Sequence, residues 1–537
     1  MRHTPVLIVG AGPTGLVLAA QLQRFGITFR LIDKHHDVLE LTKAAALHAR
    51  TLEHFRDLGI VDRILHEGQR VDILRLRTGY RDRIGIDFRE LTDVAYPFMI
   101  DIPQASTERI LIEHLTARGV PVERDVTCTA IEQTADGVLA TVTLPDGTRE
   151  TLSTDWLVGC DGAHSTVRSA IGVDFPGDAY PDDWVLCDAE LEWPLPRNEM
   201  TFCGDRQGIC GVFPLPGAHR YRLAYTQNHT ASGELVEPDL ADAQYALSRT
   251  GIEGRIRSVD QFWTFDLSHR HAARYRYGRV FLAGDAGHVH TPFGGQGLNL
   301  GVADAIDVGW KLAAVLTGRA PAALLDTYPT ERHGVATEVV RFTHLGAQAM
   351  LLRDDPRRHL RDGLLTALQA SPAVRRRIGV RLSQLGHSYR TPRRPWTRDS
   401  LRSGDRIPDP ELFDGLADRR VRLHDLLSSA GFTAVVTGHE SDSAWRPALG
   451  VVDTLRRRHG VAGLILTTGW NIARDAVAHR APTVLDRGRD ARALYGRHPR
   501  LYLVRPDRHI GFAGPPDSAD LEGYLTDMFT DAPIGAR

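Results

Sequence analysis

The chain has 537 residues, with 65 basic against 67 acidic side chains, a formal net charge of -2, 42% hydrophobic and 25% charged residues. This is length for roughly two to four domains and an ordinary globular composition. The charge balance excludes a general nucleic-acid binder and a polybasic membrane anchor, and no run approaches the roughly 18 uninterrupted apolar residues of a membrane span.

The chain opens Val6-Leu7-Ile8-Val9, then Gly10-Ala11-Gly12-Pro13-Thr14-Gly15, a helical run to about Phe25, and an apolar strand from Thr28 to Ile32 that ends on Asp33. In such a strand–turn–helix–strand unit Gly10 permits the tight turn, Gly12 lets a pyrophosphate approach the backbone, and Gly15 lets the helix pack close. The helix N-terminus offers free N–H groups to phosphate. Asp33 stands near the usual spacing, about 20 residues on, for a carboxylate that grips a ribose hydroxyl pair. An adenine dinucleotide is the expected ligand; the competing reading is a glycine turn between packed elements. With a strand beginning at once and no basic-then-apolar leader, the expected location is the cytoplasm.

The spacing of Leu47, Leu52, Phe55, Leu58 and Ile64 predicts a helix over 43–66, with Lys43 and Arg50 as phosphate partners or solvated cations near its start. Residues 71–99, arginine-rich and alternating at 73–77, read as an excursion into a second domain. Gln104 precedes a helix that Ser106 is placed to cap, with Arg109 where a capping-box acid would stand. After a short strand at 120–122, residues 126–131, 138–144 and 148–152 read as a β-meander turning at Asp136-Gly137 and Asp146-Gly147. Residues 157–163 form an apolar strand ending in Cys160-Asp161-Gly162, with Ser165 and Arg168 on a short helix beyond. At the carboxyl end of a strand, Asp161 is placed for a ligand hydroxyl; the alternative is a turn residue capping the next helix.

Residues 175–275 break into short strands at 184–191, 200–203, 208–213, 220–227 and 261–267. Their aromatic residues, among them Phe213, Tyr225, Trp263 and Phe265, line an apolar pocket or fill the core beneath the sheet. A strand from Gly278 then ends in Gly284-Asp285. His288, His290 and Pro292 follow, then Gly294-Gly295-Gln296-Gly297-Leu298-Asn299 and a long helix to about Leu316. These glycines remove side chains around a helix start, so that a flat polar group can lie against bare N–H groups. Two histidines do not make a metal site, and no metal is expected. Residues 322–385 are helical with breaks at Pro356 and Pro372, and 386–405 read as an Arg/Pro-rich linker. Beyond it strands are predicted at 432–437, 461–467, 482–486, 491–496, 501–505 and 509–513, with Arg505-Pro506-Asp507-Arg508-His509 turning between the last two. The five cysteines (Cys128, Cys160, Cys187, Cys203, Cys210) form no CxxC pair and none lies in the tail. Buried thiols in a reducing compartment are expected, and thiol redox chemistry in the tail is excluded.

The three motifs, GxGxxG at 10–15, Cys160-Asp161-Gly162, and Gly284-Asp285 with its glycine tail, stand in the order that resembles the single-component FAD-dependent aromatic hydroxylases, the class that includes p-hydroxybenzoate hydroxylase. The resemblance covers residues 1 to about 385. The tail resembles the thioredoxin-like domain of the phenol and polyketide hydroxylase branches, on Gly404-Asp405-Arg406-Ile407-Pro408-Asp409 and the Arg-Pro-Asp turn. The implied α/β fold has a Rossmann-like FAD-binding domain at 1–175, with its excursion at 71–100, and an inserted, mainly antiparallel substrate domain at 176–275. An FAD motif and helical region at 276–385, the linker 386–405, and a thioredoxin-like domain at 406–537, for assembly or lid support, complete it. By the same resemblance Gly10, Gly12, Gly15 and Asp33 would hold the ADP half of FAD, Gln104 would contact the cofactor, and Asp161 would lie near the pyrophosphate. Asp285 would bind the ribityl chain, and Pro292, Gly294, Gly295, Gly297, Leu298 and Asn299 would lie against the isoalloxazine ring. Lys43 stands where the family has an arginine; it can pair with phosphate but lacks the planar fork.

No second strand-linked GxGxxG exists, in line with a family in which NADPH or NADH reduces the flavin without a domain of its own. The implied reaction then adds O2 at C4a, and the resulting hydroperoxide transfers one oxygen to an aromatic ring. The expected substrate is a large polycyclic polyketide-type phenol. It competes with a small phenolic acid, whose carboxylate would need a buried partner such as Arg206 or Arg222. A Baeyer-Villiger, decarboxylating or antibiotic-inactivating monooxygenase would satisfy the same motifs, as would a non-catalytic flavin-binding structural or regulatory protein. Tyr225 and His229 are the candidates for deprotonating the phenol. A homodimer is implied by resemblance alone.

Overall fold

The computed structural model describes residues 2–38, 44–78, 80–205, 207–227, 235–290, 293–352, 355–390, 401–438, 445–478, 482–488, 490–491, 494–495 and 499–530. The first sheet is built on the strand Arg2–Val9, whose Val6, Leu7 and Ile8 are fully buried. It runs parallel to Phe29–Ile32 on one side and to Arg149–Gly159 on the other, and the end of Arg149–Gly159 runs parallel to Val280–Leu282. A parallel sheet needs cover on its faces. Helix Pro13–Arg24 belongs to that cover and packs on helices Gly297–Leu316 and Gln104–Thr116. The first three motifs and Asp33 thus leave the carboxyl ends of four neighbouring parallel strands.

Arg149–Gly159 is one strand where two were predicted. Its first half pairs antiparallel with Val138–Thr143, as the meander requires. The intervening polar residues continue the strand: Thr154 is fully buried and its hydroxyl donates to the Trp156 carbonyl at 2.8 Å. The helix expected over 43–66 is two helices, Ala49–Leu58 and Val61–Glu67, separated at the left-handed Gly59 (φ 78°), and a two-residue strand, Ala46–Leu47, precedes them. Helix Gln104–Thr116 starts after Pro103, so Ser106 lies inside the first turn and caps nothing. Residues 120–122 form no strand; the chain makes only an isolated bridge between Ile32 and Glu123.

The second sheet has eight strands, in the order His288–Val289, Arg255–His271, Gly177–Glu192, Arg220–Thr226, Ile209–Pro214, Glu199–Gly204, Ile73–Thr78 and Arg81–Asp87. The excursion read at 71–99 therefore supplies its far edge. Alternation along the strands divides the side chains. Trp184, Leu186, Phe202, Phe213 and Ala224 share one apolar cluster, while Val185, Cys187, Val212 and Tyr225 share another with helix Leu240–Ser248.

The C-terminal sheet has the order Thr483–Leu485, Ala462–Thr467, Thr433–Gly438, Arg500–Val504, Ile510–Gly514; the first three strands are parallel and the last two antiparallel. The strand predicted at 491–496 is absent among the described residues, and the hairpin Glu411–Asp414/Arg419–Arg422 was not foreseen. Trp310, Ala320 and Leu324 pack with Phe432 across the seam to the first sheet's helices. Buried charges reinforce that seam: Arg508 grips Asp57 at 2.7 and 3.0 Å, Arg406 pairs with Glu53, and Arg505 reaches Glu331 and Asp307. No described helix is long and apolar enough to cross a membrane.

Candidate active site

Two contiguous cavities open at the carboxyl ends of the parallel strands. The first, about 200 Å³, is lined by the 10–12 turn, Asp33, Gln104, Glu108, Arg124 and Asp161. The second, about 350 Å³, shares Gly12, Gln104, Cys160 and Gly162 with it and runs on past Asp285 and the 295–298 turn to the apolar face of the eight-stranded sheet.

The glycine turn has the shape its spacing predicted. Gly10 has φ 103°, and a Cβ there would lie 2.4 Å from the Cys160 carbonyl oxygen; one on Gly15 would lie 1.9 Å from the Gly10 oxygen. These two glycines let the turn, the helix and the Asp161 strand approach. At Gly12 an added Cβ would meet nothing within 4 Å, so the bare backbone there faces the cavity. Asp33 is buried and already engaged, accepting from the Ala11 N–H at 2.5 Å and the His35 N–H at 2.8 Å. It braces the glycine turn as well as lining the cavity, and the Arg124 guanidinium stands 3.9 Å away. Gln104 donates to Glu108 at 2.7 Å, and burial pushes the Glu108 carboxyl up to about 7. Glu108 and Arg124 escaped the sequence reading. Glu108 had a signal, four residues beyond Gln104 on one helix, whereas Arg124 comes to Asp33 only through the bridge between Ile32 and Glu123.

Asp161 supports the start of the next helix and also lines a cavity. Its carboxylate accepts from the Ser165 hydroxyl at 2.5 Å and from the Val167 N–H at 3.0 Å in the first turn of helix Thr166–Ala170, whose N-cap is Ser165, and the residue lines the first cavity. Arg168 ties this motif to the next one, donating to the carbonyls of Ala163 (2.8 Å) and Ala286 (3.0 Å).

Asp285 is exposed to the second cavity, beside Gly295, Gly297 and Leu298. The strand end before it is held by Asp304, whose carboxylate accepts from the Gly284 N–H at 3.0 Å, His288 Nε2 at 2.7 Å and Arg332 Nε at 2.7 Å. Burial alone would raise this carboxyl, but Arg332 and His288 outweigh it and hold it below its ordinary range. Gly294 and Asn299 do not line the cavity. They anchor the turn from behind: His48 donates through Nε2 to the Gly294 carbonyl at 2.7 Å, and burial lowers this imidazole to about 4, so it is neutral at pH 7. The Asn299 amide donates to the Ala46 and Gly295 carbonyls and accepts from the His48 N–H and the Thr51 hydroxyl. Every polar atom of Asn299 is spent on positioning, a role invisible until residues 46–51 are folded beside it.

Three further sequence candidates are engaged elsewhere, and four lie outside the described residues. Tyr225 points to the opposite face of the sheet, where its hydroxyl donates to Asp242 at 2.7 Å, and burial raises it further above its ordinary range. It cannot deprotonate a ligand in the cavity, because a one-residue step along a strand reverses the face. Arg50 turns away from the cavities, donating to Glu53 at 2.8 Å and to the Asp507 carbonyl at 2.5 Å. Arg222 does line the second cavity, but Asp188 holds it at 2.7 and 2.9 Å. Lys43, Arg206, His229 and Pro292 lie outside the described residues.

A parallel sheet with this glycine cradle, continued by an aspartate and a bare helix start, defines a dinucleotide-binding flavoprotein, and the donor set fits FAD. Residues 3–343 match the family described as FAD binding domain. Over 99% of its length the chain is 34% identical to the 12-dehydrotetracycline 5-monooxygenase/anhydrotetracycline 6-monooxygenase of Streptomyces rimosus, covering 98% of that protein. Over 65% of its length it is 38% identical to a rifampicin monooxygenase of Streptomyces venezuelae, 72% of which is covered. Among solved structures, the OxyS anhydrotetracycline hydroxylase from Streptomyces rimosus superposes with a TM-score of 0.73 at 29% identity, over 99% of this chain and 100% of that one. BexE, studied for oxidation during BE-7585A biosynthesis, gives 0.72 at 31%, over 99% and 100%. The chain belongs to the single-component FAD-dependent aromatic hydroxylases and is an FAD-dependent monooxygenase.

Proposed function

We propose that this monooxygenase hydroxylates the phenolic ring of a polycyclic, polyketide-type substrate, with NADPH or NADH as electron donor and O2 as co-substrate. The observation that carries this is the second cavity: about 350 Å³, walled by Leu186, Phe213, Ala224 and Phe265 opposite the 295–298 turn, with Arg222 already neutralised by Asp188. A small phenolic acid would bury a carboxylate that needs its own cation, and Arg222 is committed elsewhere. The tetracycline-acting relative, matched along its whole length, supports the same reading. The likeness to a rifampicin monooxygenase favours a second reading, oxygenation of a finished polycyclic antibiotic.

In this assignment Gly10, Gly12, Gly15 and Asp33 form the ADP cradle, with Gln104 and Asp161 along the pyrophosphate. Asp285 accepts from the ribityl chain, and Gly295, Gly297 and Leu298 present backbone to the ring, while Gly294 and Asn299 hold that turn in place. When bound, FAD supplies the hydride acceptor and the oxygen chemistry. The chain's own residues bind and orient it, and the apolar wall excludes water from the reacting ring. We assign residues 1–175 and 276–385 to the FAD-binding part, 176–275 to the substrate sheet, and 406–537 to a thioredoxin-like domain that braces the helices behind the site. The last rests on three parallel strands followed by an antiparallel pair, with helix Trp445–His459 between the first two and helix Trp470–Ala478 between the second and third. Five free, buried cysteines suit the cytoplasm.

Anaerobic mixing with NADPH or NADH, with and without polycyclic phenols, rifampicin and monocyclic acids, tests the proposal. Flavin bleaching accelerated by a polycyclic phenol, followed on aeration by a product heavier by one oxygen atom, is expected. Acceleration and oxygen gain with a monocyclic acid alone would overturn it.

A further inference from the structure

Gln296 is the N-cap of helix Gly297–Leu316 and lines the second cavity, yet its side chain is held from behind. Its amide nitrogen donates to the Gly294 carbonyl at 3.0 Å and to the Leu382 carbonyl at 2.9 Å, and its amide oxygen accepts from Gln384 Nε2 at 2.8 Å. Gln384 Nε2 also donates to the Gln296 backbone carbonyl at 3.3 Å. The whole Gln384 donor group is thus spent on one residue, 88 positions earlier in the chain. Gln384 itself lies outside residues 3–343, which carry the match to the FAD-binding family. It follows the end of helix Pro372–Leu382, on a segment whose Ser383 carbonyl accepts from the Arg50 N–H at 3.2 Å and whose Tyr389 stacks on His509 at 4.1 Å.

Gln384 keeps this position at a local cost. Its φ is 61°, in the left-handed region that residues other than Gly, Asn and Asp rarely adopt. Its Oε1 is buried with no hydrogen-bond partner among the described residues. Turning the amide over would set that oxygen against two oxygens of Gln296, so the Gln296 acceptors fix its orientation. An unfavourable backbone conformation and an unpaired buried carbonyl persist together only where the surroundings demand them, and such residues gather at ligand clamps. The segment that gains from the cost is the 294–297 turn. Gly294 and Gly295 are both left-handed, with φ 75° and 62°, and glycine has the most backbone freedom to lose. The first N–H groups of the helix beyond have no partner within it, and their direction follows from that turn.

We infer that Gln384 is a positioning residue for the flavin: resting on the proposed placing of the ring at the 295–298 turn, it fixes Gln296 and so the free N–H groups that the ring meets. Reduction adds electrons to the ring, and N–H groups at a helix start favour the more negative form. Gln384 therefore holds the reduction potential up as well as tightening FAD, without touching the cofactor.

The full-length protein, FAD-loaded and flavin-stripped, tests this. Gln384→Asn tolerates the left-handed backbone but is one methylene too short to reach Gln296; Gln384→Met keeps the length without a donor and carries the comparison if Gln384→Asn does not fold. We expect the dissociation constant for FAD to rise about three- to tenfold, the midpoint potential of the bound flavin to become more negative, and its visible circular dichroism to change. A purely structural role would lower the urea midpoint of the apoprotein and leave the potential and dichroism of the bound flavin as in wild type. Gly297→Ala is the control at the turn itself, since its Cβ makes only ordinary contact, 3.7 Å from the His290 ring. An unchanged or raised potential in the folded Gln384 variants, with Gly297→Ala altered in dichroism, overturns the role of Gln384 and leaves the ring at the turn. Wild-type potential and dichroism in all the variants overturn both.

Discussion

Gly12→Ala should separate cofactor binding from folding. Gly12 has φ -74° and ψ -176°, which alanine adopts without strain, and its added Cβ meets no protein atom within 4 Å. It precedes helix Pro13–Arg24 as the N-cap, where exchanging glycine for alanine costs under about 1 kcal/mol. The methyl group would stand on the bare backbone facing the first cavity, where a pyrophosphate must approach. Loss of one hydrogen bond to a charged phosphate oxygen costs about 1.5–3 kcal/mol, roughly ten- to 150-fold in dissociation constant. Gly15→Ala is the opposite case, with its Cβ 1.9 Å from the Gly10 carbonyl oxygen, far inside van der Waals contact. The helix and the turn must separate, and the folded state should lose about 3 kcal/mol or more. The assay is urea unfolding of the flavin-stripped proteins, paired with FAD titration by fluorescence quenching. We expect Gly12→Ala to match wild-type stability within about 1 kcal/mol while binding FAD at least about tenfold more weakly. Wild-type FAD affinity in Gly12→Ala, or wild-type stability in Gly15→Ala, would refute the division of labour.

Three further outcomes are expected. Burial raises Glu108 from 4.5 to about 7, so the folded chain keeps a proton that the unfolded chain has lost, and this group's contribution to stability falls as pH rises from about 4.5 to 7. Above that it adds negative charge beside Asp33, so FAD affinity should fall between about pH 6 and 8, and Glu108→Gln should flatten the titration; an unaltered pH profile in the variant would count against the cause. Arg505→Met leaves Lys311 as the cation for Asp307 and Glu331 and removes the guanidinium from Asp507; it should cost about 3–5 kcal/mol in urea unfolding followed by tryptophan fluorescence, whereas a loss under about 1 kcal/mol would mean that the seam does not depend on this cluster. Asp285→Ala removes a carboxylate that lines the second cavity, so FAD should be retained less on gel filtration; unchanged retention would remove Asp285 from the ribityl site.

The sequence by itself determined the elements that recur locally. The glycine turn, the alternating strands of 175–275 and the Gly284-Asp285 strand end are legible because steric demand, period-2 burial and helix-start chemistry each act within a few residues. Family resemblance then identified the cofactor as FAD, since the three motifs follow one another in a fixed order. What only the tertiary structure decided is which neighbours share a site. Tyr225 and Ala224 are adjacent in sequence and equally plausible as pocket residues, but strand pairing turns Ala224 to the cavity and Tyr225 to helix Leu240–Ser248. Arg222 reads as a free cation until Asp188, on the adjacent strand, comes beside it. Asn299 reads as a flavin contact until residues 46–51 fold against it and take its amide oxygen and one amide N–H bond, the other going to the Gly295 carbonyl. Arg505 reads as a turn residue until Asp307 and Glu331 arrive from helices some 170 to 200 positions earlier. In each case the partner is distant in sequence, and a polar group's role follows from the partner that desolvation obliges it to find.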